Sequence, residues 1–193
     1  MAEEETSASF FARDLAPGAV LLELSAVPRR LKAPLFLHLT EALRRLKRLS
    51  VLHGNVCEGV MAVRRGHAFP VLSGFEMSDE LGAERWIPRF EPRLSRPPEL
   101  QLASYMATVK PTKRVTLEDV AFVLEEVGSD ACLTDLVGLP LERLWRRVCR
   151  MSHTWDNYAL CAMFRADFPD AVAASGWQAD PERRRFVTEA DFV

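Results

Sequence analysis

One stretch limits the architecture more than any other. In residues 154–166, Trp155, Tyr158, Ala159, Leu160, Ala162, Met163 and Phe164 leave no continuous polar face. A helix of this composition cannot lie on a surface, because every turn would put large apolar groups into water. It must be central to the core, which predicts a mainly α-helical domain built around it. Asp156 falls in the first turn, where the positive end of the helix dipole favours a carboxylate. At 193 residues and 48% hydrophobic content, the chain is long and apolar enough to bury such a core.

The remaining chain supplies further elements. Pro34 suits the first turn of a helix running to about Leu49. Leu35, Leu39, Ala42, Leu43 and Leu46 share one face of it, and Glu41, Arg44, Arg45, Lys47 and Arg48 face elsewhere. Pro98 takes a first-turn position in a second helix reaching about Thr108. Thr116 caps a third, with Asp119 as a short form of the capping-box acid and Gly128 as its stop. Its expected buried stripe is Leu117, Val120, Ala121, Leu124 and Val127. A fourth helix over 139–151 buries Leu141, Leu144, Trp145 and Val148. It exposes Arg143, Arg146, Arg147 and Arg150, a candidate interaction face.

Residues 19–24 read as a buried strand, and 60–63 with 69–72 as a small β-hairpin with a basic tip. Residues 79–98 read as a long surface loop anchored by Trp86 and Phe90. Trp177, Pro181, the 183–185 arginine run and Phe192 mark a peripheral cover. Residues 1–14 form a flexible acidic arm, and 15–193 a single domain. Phe10 and Phe11 in that arm either fold back on the core or dock on a partner.

Charge and cysteine usage narrow the classes. A net charge of -2 and a pI near 6.1 give no global bias toward nucleic acid or anionic membranes. No apolar run approaches the roughly 20 residues of a membrane span. The N-terminus lacks the basic start and apolar core of a secretory signal. Cys57, Cys132, Cys149 and Cys161 lie far apart without metal-ligand spacing, as expected of isolated buried thiols and no metal site.

Residues 52–78, LHGNVCEGVMAVRRGHAFPVLSGFEMS, have the layout of a protein-kinase catalytic loop followed by its metal-binding turn. RPPELQLASYM resembles the end of the activation segment with its following helix, and HTWDNYALCAMF the central helix of the large lobe. The chain thus resembles a degenerate protein-kinase C-terminal lobe, most closely those of kinase-like proteins of large DNA viruses. The resemblance implies a mainly α, C-lobe-like helical domain with a small β-hairpin and the N-lobe absent. It gives His53, Glu99 and Asp156 structural work, Glu99 through an ion pair with an Arg and Asp156 by bonding the catalytic-loop backbone.

The chemical positions depart from the family. Asn55 stands where the catalytic Asp belongs, and an amide cannot take a proton near neutral pH. Val60 replaces the metal-binding Asn, and Gly74 the metal-binding Asp. Glu76, two positions on, could substitute only in a reshaped turn. The Gly-rich loop and the nucleotide-anchoring Lys have no counterpart among the four lysines.

The resemblance therefore implies a pseudokinase without enzymatic activity, cofactor or bound nucleotide. Its expected role is that of a structural or interaction protein in the virion or host cytoplasm, such as a minor capsid protein contacting other protein subunits. The alternatives are a soluble regulatory pseudokinase binding a host or viral partner, and a serine/threonine kinase half completed by another chain. Nucleic acid is not an expected partner. An isolated lobe would expose apolar surface around residues 20–24 and 60–71, to be covered by the arm or another chain.

Overall fold

The computed structural model describes residues 19–21, 23–58, 61–64, 70–81, 88–110 and 113–169. The expectations for Phe10, Phe11, Val60, Trp86 and the region beyond residue 169 lie outside them. The fold is mainly α, with five α-helices among the described residues. They are α1 (Arg29–Arg48), α2 (Pro98–Thr108), α3 (Leu117–Val127), α4 (Leu141–Arg150) and α5 (Trp155–Phe164). Two small antiparallel sheets accompany them. Strands β1 (Ala19–Leu21), β3 (Met61–Arg64) and β4 (Pro70–Leu72) form one in the order β1-β3-β4, and β2 (Val51–Leu52) pairs with β5 (Asp79–Glu80) in the other. No helix of the described residues is long and apolar enough to cross a membrane.

Helix α5 is enclosed as its composition demands: Trp155 to Cys161 and Phe164 are all buried. It runs antiparallel to α1, because Lys32 near the start of α1 reaches Asp167 just beyond α5 at 2.8 Å, and Phe36 meets Phe164 with ring centroids 5.0 Å apart. Leu35, Phe36, Leu39 and Leu43 of α1 pack with Val56 and the Tyr158–Phe164 part of α5 in one apolar cluster. A second cluster gathers α2, α3 and α4 around Leu102, Met106, Val123, Leu144 and Val148, and includes Leu52 and Trp155. The loop after β2 and the first turn of α5 therefore lie where the two clusters meet.

Local chemistry explains the helix limits. Pro98 is N1 of α2. The Thr116 hydroxyl accepts from the Asp119 N–H while the Asp119 carboxylate accepts from the Thr116 N–H, a complete capping box. Gly128 ends α3 at φ 67°, the left-handed conformation that glycine adopts at least cost.

Several expectations need correction. Helix α1 begins at Arg29, five residues before Pro34, so the proline sits inside it rather than in its first turn. The early position is tolerable because the ring removes only one bond near a helix end that already has free N–H groups. Of the strand expected over 19–24, Ala19–Leu21 form β1, while Leu24–Ala26 form a 3-10 turn whose Leu24 is buried rather than exposed. On α3 the buried residues are Asp119, Val120, Val123 and Val127, while Leu117 is 62% exposed and Ala121 is exposed. Lys110 bonds Asp119 and the capping box holds it inward, which turns the helix away from the stripe that hydrophobicity alone predicts. All four cysteines are free, but Cys132 is exposed and Cys57 half-buried. Asp79–Glu80, expected in a surface loop, forms β5.

Candidate functional site

The loop that follows β2 is built on one buried carboxylate. Asp156 Oδ2 accepts the His53 N–H at 2.7 Å, and Oδ1 accepts the Gly54 N–H at 2.8 Å. Two consecutive backbone donors thus share one side chain from an element more than a hundred residues away. Burial pushes the carboxyl up to about 6, and the two N–H bonds pull the other way. Its place in the first turn of α5 gives it the favourable end of the helix dipole.

His53 is fully buried and closes the loop from the other side. Its Nε2 lies 2.8 Å from the Ser73 carbonyl oxygen, and its Nδ1 lies 3.4 Å from the Asn55 backbone nitrogen. A carbonyl can only accept and an N–H can only donate, so the pair of bonds selects the neutral ring with hydrogen on Nε2. Burial holds the imidazole below its ordinary value, in agreement with that form. The ring packs on Phe75 with centroids 4.5 Å apart. The 52–56 loop is in this way fixed to the 73–75 turn as well as to α5.

Gly54 is required by geometry. Its φ is 78°, and a Cβ there would meet the Met77 carbonyl oxygen at 2.5 Å. Gly54→Ala is expected to destabilise the protein by roughly 2–3 kcal/mol, combining the left-handed penalty with displacement of the Met77 backbone. Urea unfolding reads this directly, and a loss below about half a kcal/mol would show that the loop relaxes freely. Gly74 is also left-handed, at φ 73°, and starts the 3-10 turn Phe75–Met77.

The structure brings His53, Gly54 and Asp156 into one hydrogen-bonded unit, with Asn55 beside it. Asn55, Arg93, Ser95, Arg96 and Asp156 contribute to the lining of a cavity of about 30 Å³. That space holds on the order of two waters. Glu99 is buried in the first turn of α2, next to the Pro97 and Leu100 that line the same cavity. Arg143, Arg146 and Arg150 are exposed, and Arg147 reaches Asp135 at 2.7 Å. Val60, Phe10 and Phe11 lie outside the described residues. Glu76 is exposed on the Phe75–Met77 turn. Among the described residues no group of three His, Cys, Asp or Glu side chains is placed to hold a metal ion.

Gln101 is the participant that sequence reading missed. Buried in α2, it accepts from the Arg93 N–H at 3.1 Å and donates to the Arg93 and Arg96 carbonyls at 2.6 and 3.3 Å. It shapes the chain facing the Asn55 loop. A polar residue flanked by Leu100 and Leu102 on a short helix was the available signal. No protein-family model, curated protein or solved structure matches this chain.

Proposed function

We propose that this chain is a catalytically inactive, kinase-like lobe that serves as a structural or interaction module. The resemblance to viral kinase-like proteins extends the proposal to a component of the virus particle, such as a minor capsid protein. The observation that carries the reading is the grip of Asp156 on the His53 and Gly54 backbone, with the His53 ring on Phe75. It joins two of the residues that the resemblance links, His53 and Asp156, beside positions at which the reactive groups are replaced. Asn55 supplies no general base, and Gly74 supplies no side-chain oxygen for a metal.

Physical economy favours a scaffold. Burying a carboxylate and a histidine to immobilise a loop is worthwhile where the loop must keep one shape, as a docking surface does. The cavity beside Asn55, at about 30 Å³, is far below the roughly 300 Å³ at which small-molecule sites begin. Phosphoryl transfer depends on metals and lysine acting together on developing charge, and the chain offers neither at the family's positions.

Calorimetry with magnesium and ATP, followed by a phosphate-transfer assay on the purified chain, tests the reading. The expected result is no saturable binding at millimolar nucleotide and no transfer. Micromolar binding would overturn it and favour a kinase half completed by another chain. Mass spectrometry of purified particles tests the second part, and absence of the chain from them would favour a soluble regulatory binder.

A further inference from the structure

We infer that the C-terminal ends of α1 and α4 together form one face that binds the phosphate backbone of nucleic acid without reading its bases. The antiparallel register of α1 on α5 brings them together. Lys32 pairs with Asp167 and Phe36 with Phe164, so advancing along α1 retreats along α5 and places Lys47 at His153. The same proximity is felt electrostatically, since Lys47 adds to burial in lowering the His153 imidazole. His153 lies in the turn just after α4, and its ring hydrogen-bonds to the Arg150 backbone. Two basic clusters separated by about a hundred residues in sequence thus become neighbours in space.

The α4 part is a straight row. Arg143, Arg146, Arg147 and Arg150 follow the i, i+3, i+4, i+7 spacing, which puts all four on one side over about 10 Å. Arg143, Arg146, Arg150 and Arg48 are exposed and form no salt bridge among the described residues, Arg48 meeting the Glu41 charge only at longer range. Arg44 and Arg45 are answered by Glu41, and Arg147 by Asp135. Cations in the last turns of α1 and α4 do complement the helix dipoles, but that effect fades within one turn and leaves Arg143 and Arg146 without such a role. The overall charge of -2 therefore conceals a concentrated positive region.

The chemistry of the face selects the ligand. Guanidinium groups bind phosphate oxygens in a bidentate fashion, and a row of them matches a linear polyanion. A protein interface wants an apolar centre, and a lipid surface wants a band of inserted apolar side chains. Here the large exposed apolar side chain at the end of α1 is the single Leu49, too little for either. The row carries no aromatic platform on which bases could stack, so recognition is confined to the backbone.

Fluorescence anisotropy of the full chain with a labelled single strand and a duplex of about 20 nucleotides tests this. Engaging about four phosphates predicts a log-affinity against log-salt slope of roughly -4, or about a hundred-fold loss between about 50 and 200 mM salt. The double variant Arg146→Glu/Arg150→Glu should weaken binding at least about tenfold and flatten the slope by about two. Arg30→Glu, at the opposite end of α1, should leave both unchanged, and circular dichroism confirms that the variants fold. No binding at low salt, or equal losses in the two variants, would overturn the inference. So would tighter binding to a polyglutamate peptide or to phosphatidylserine vesicles, which would assign the face to an acidic protein or to lipid.

Discussion

Asp156→Ala should lower the unfolding free energy by roughly 3–5 kcal/mol, read as a fall in the denaturant midpoint. The alanine leaves the His53 and Gly54 N–H groups without an acceptor, in a place where Asp156 itself is only 7% exposed. Each orphaned buried donor costs about 1–3 kcal/mol. Asp156→Asn should fall between wild type and alanine. Its oxygen still serves one donor, while its NH₂ faces the other. Equal stability of the alanine variant would show that water replaces the carboxylate and that the loop does not depend on it.

The same residue sets a pH signature. Its carboxyl titrates at about 6 in the folded chain against an ordinary 3.8, so its contribution is complete below about pH 4 and is lost as pH rises through 6. His53 and His153 run the other way. Burial lowers both imidazoles below 6.5, so their contribution is present above that value and is lost on acidification. Between about pH 4 and 6 the aspartate offsets part of the acid loss from the histidines. Asp156→Asn removes the offset, and its midpoint should fall more steeply than wild type as pH drops from about 6.5 to 4.5. Parallel profiles would mean that Asp156 stays ionised throughout.

Phe164→Ala is the second large effect, at about 3–5 kcal/mol and a loss of about 10 °C or more in melting temperature. Phe164 is fully buried, with its ring 5.0 Å from Phe36 and stacked at 6.3 Å on Phe168. Deleting it opens a cavity in the seam between α1 and α5, the pair that carries the loop at one end. Phe164→Leu keeps most of the volume and should lose under about 2 kcal/mol. Differential scanning calorimetry separates the two, and a small alanine effect would mean that Phe36 and Phe168 close the gap.

How much of this was legible in the sequence depended on how local each signal was. The all-apolar α5, the Thr116 cap, the Gly128 stop and Pro98 at N1 are each written within a few residues, and each sits within a residue or two of its expected place. The β3–β4 hairpin was legible for the same reason, over the strand residues the structure describes, Met61–Arg64 and Pro70–Leu72. The β2–β5 ladder was not, because two-residue strands are too short to show alternation. The start of α1 was missed because Pro34 offered a plausible first turn and Pro28, the true cap, made a second one. Asp119 misled the reading of α3, since its inward bonds to Lys110 and Thr116 outweigh the exposure of Leu117.

At the site, Asp156 and His53 could be singled out by motif, but their partners could not. The Ser73 carbonyl, the Met77 carbonyl behind Gly54 and the Gln101 bridge to the 93–96 chain are tertiary facts, set by backbone groups that every residue possesses. The approach of Lys47 to His153 belongs to the same kind, because it follows from helix direction rather than from spacing along the chain.

The meeting of the two apolar clusters at the Asp156 loop has a thermodynamic consequence. Leu52 belongs to one and Val56 to the other, and on α5 Trp155 belongs to the first and Tyr158 to the second. A carboxylate tying residues 53 and 54 to 156 therefore rivets both halves through the same few atoms. Neither half can melt without dragging on the other, so the molecule meets heat or denaturant as one cooperative block rather than as two loosely hinged ones.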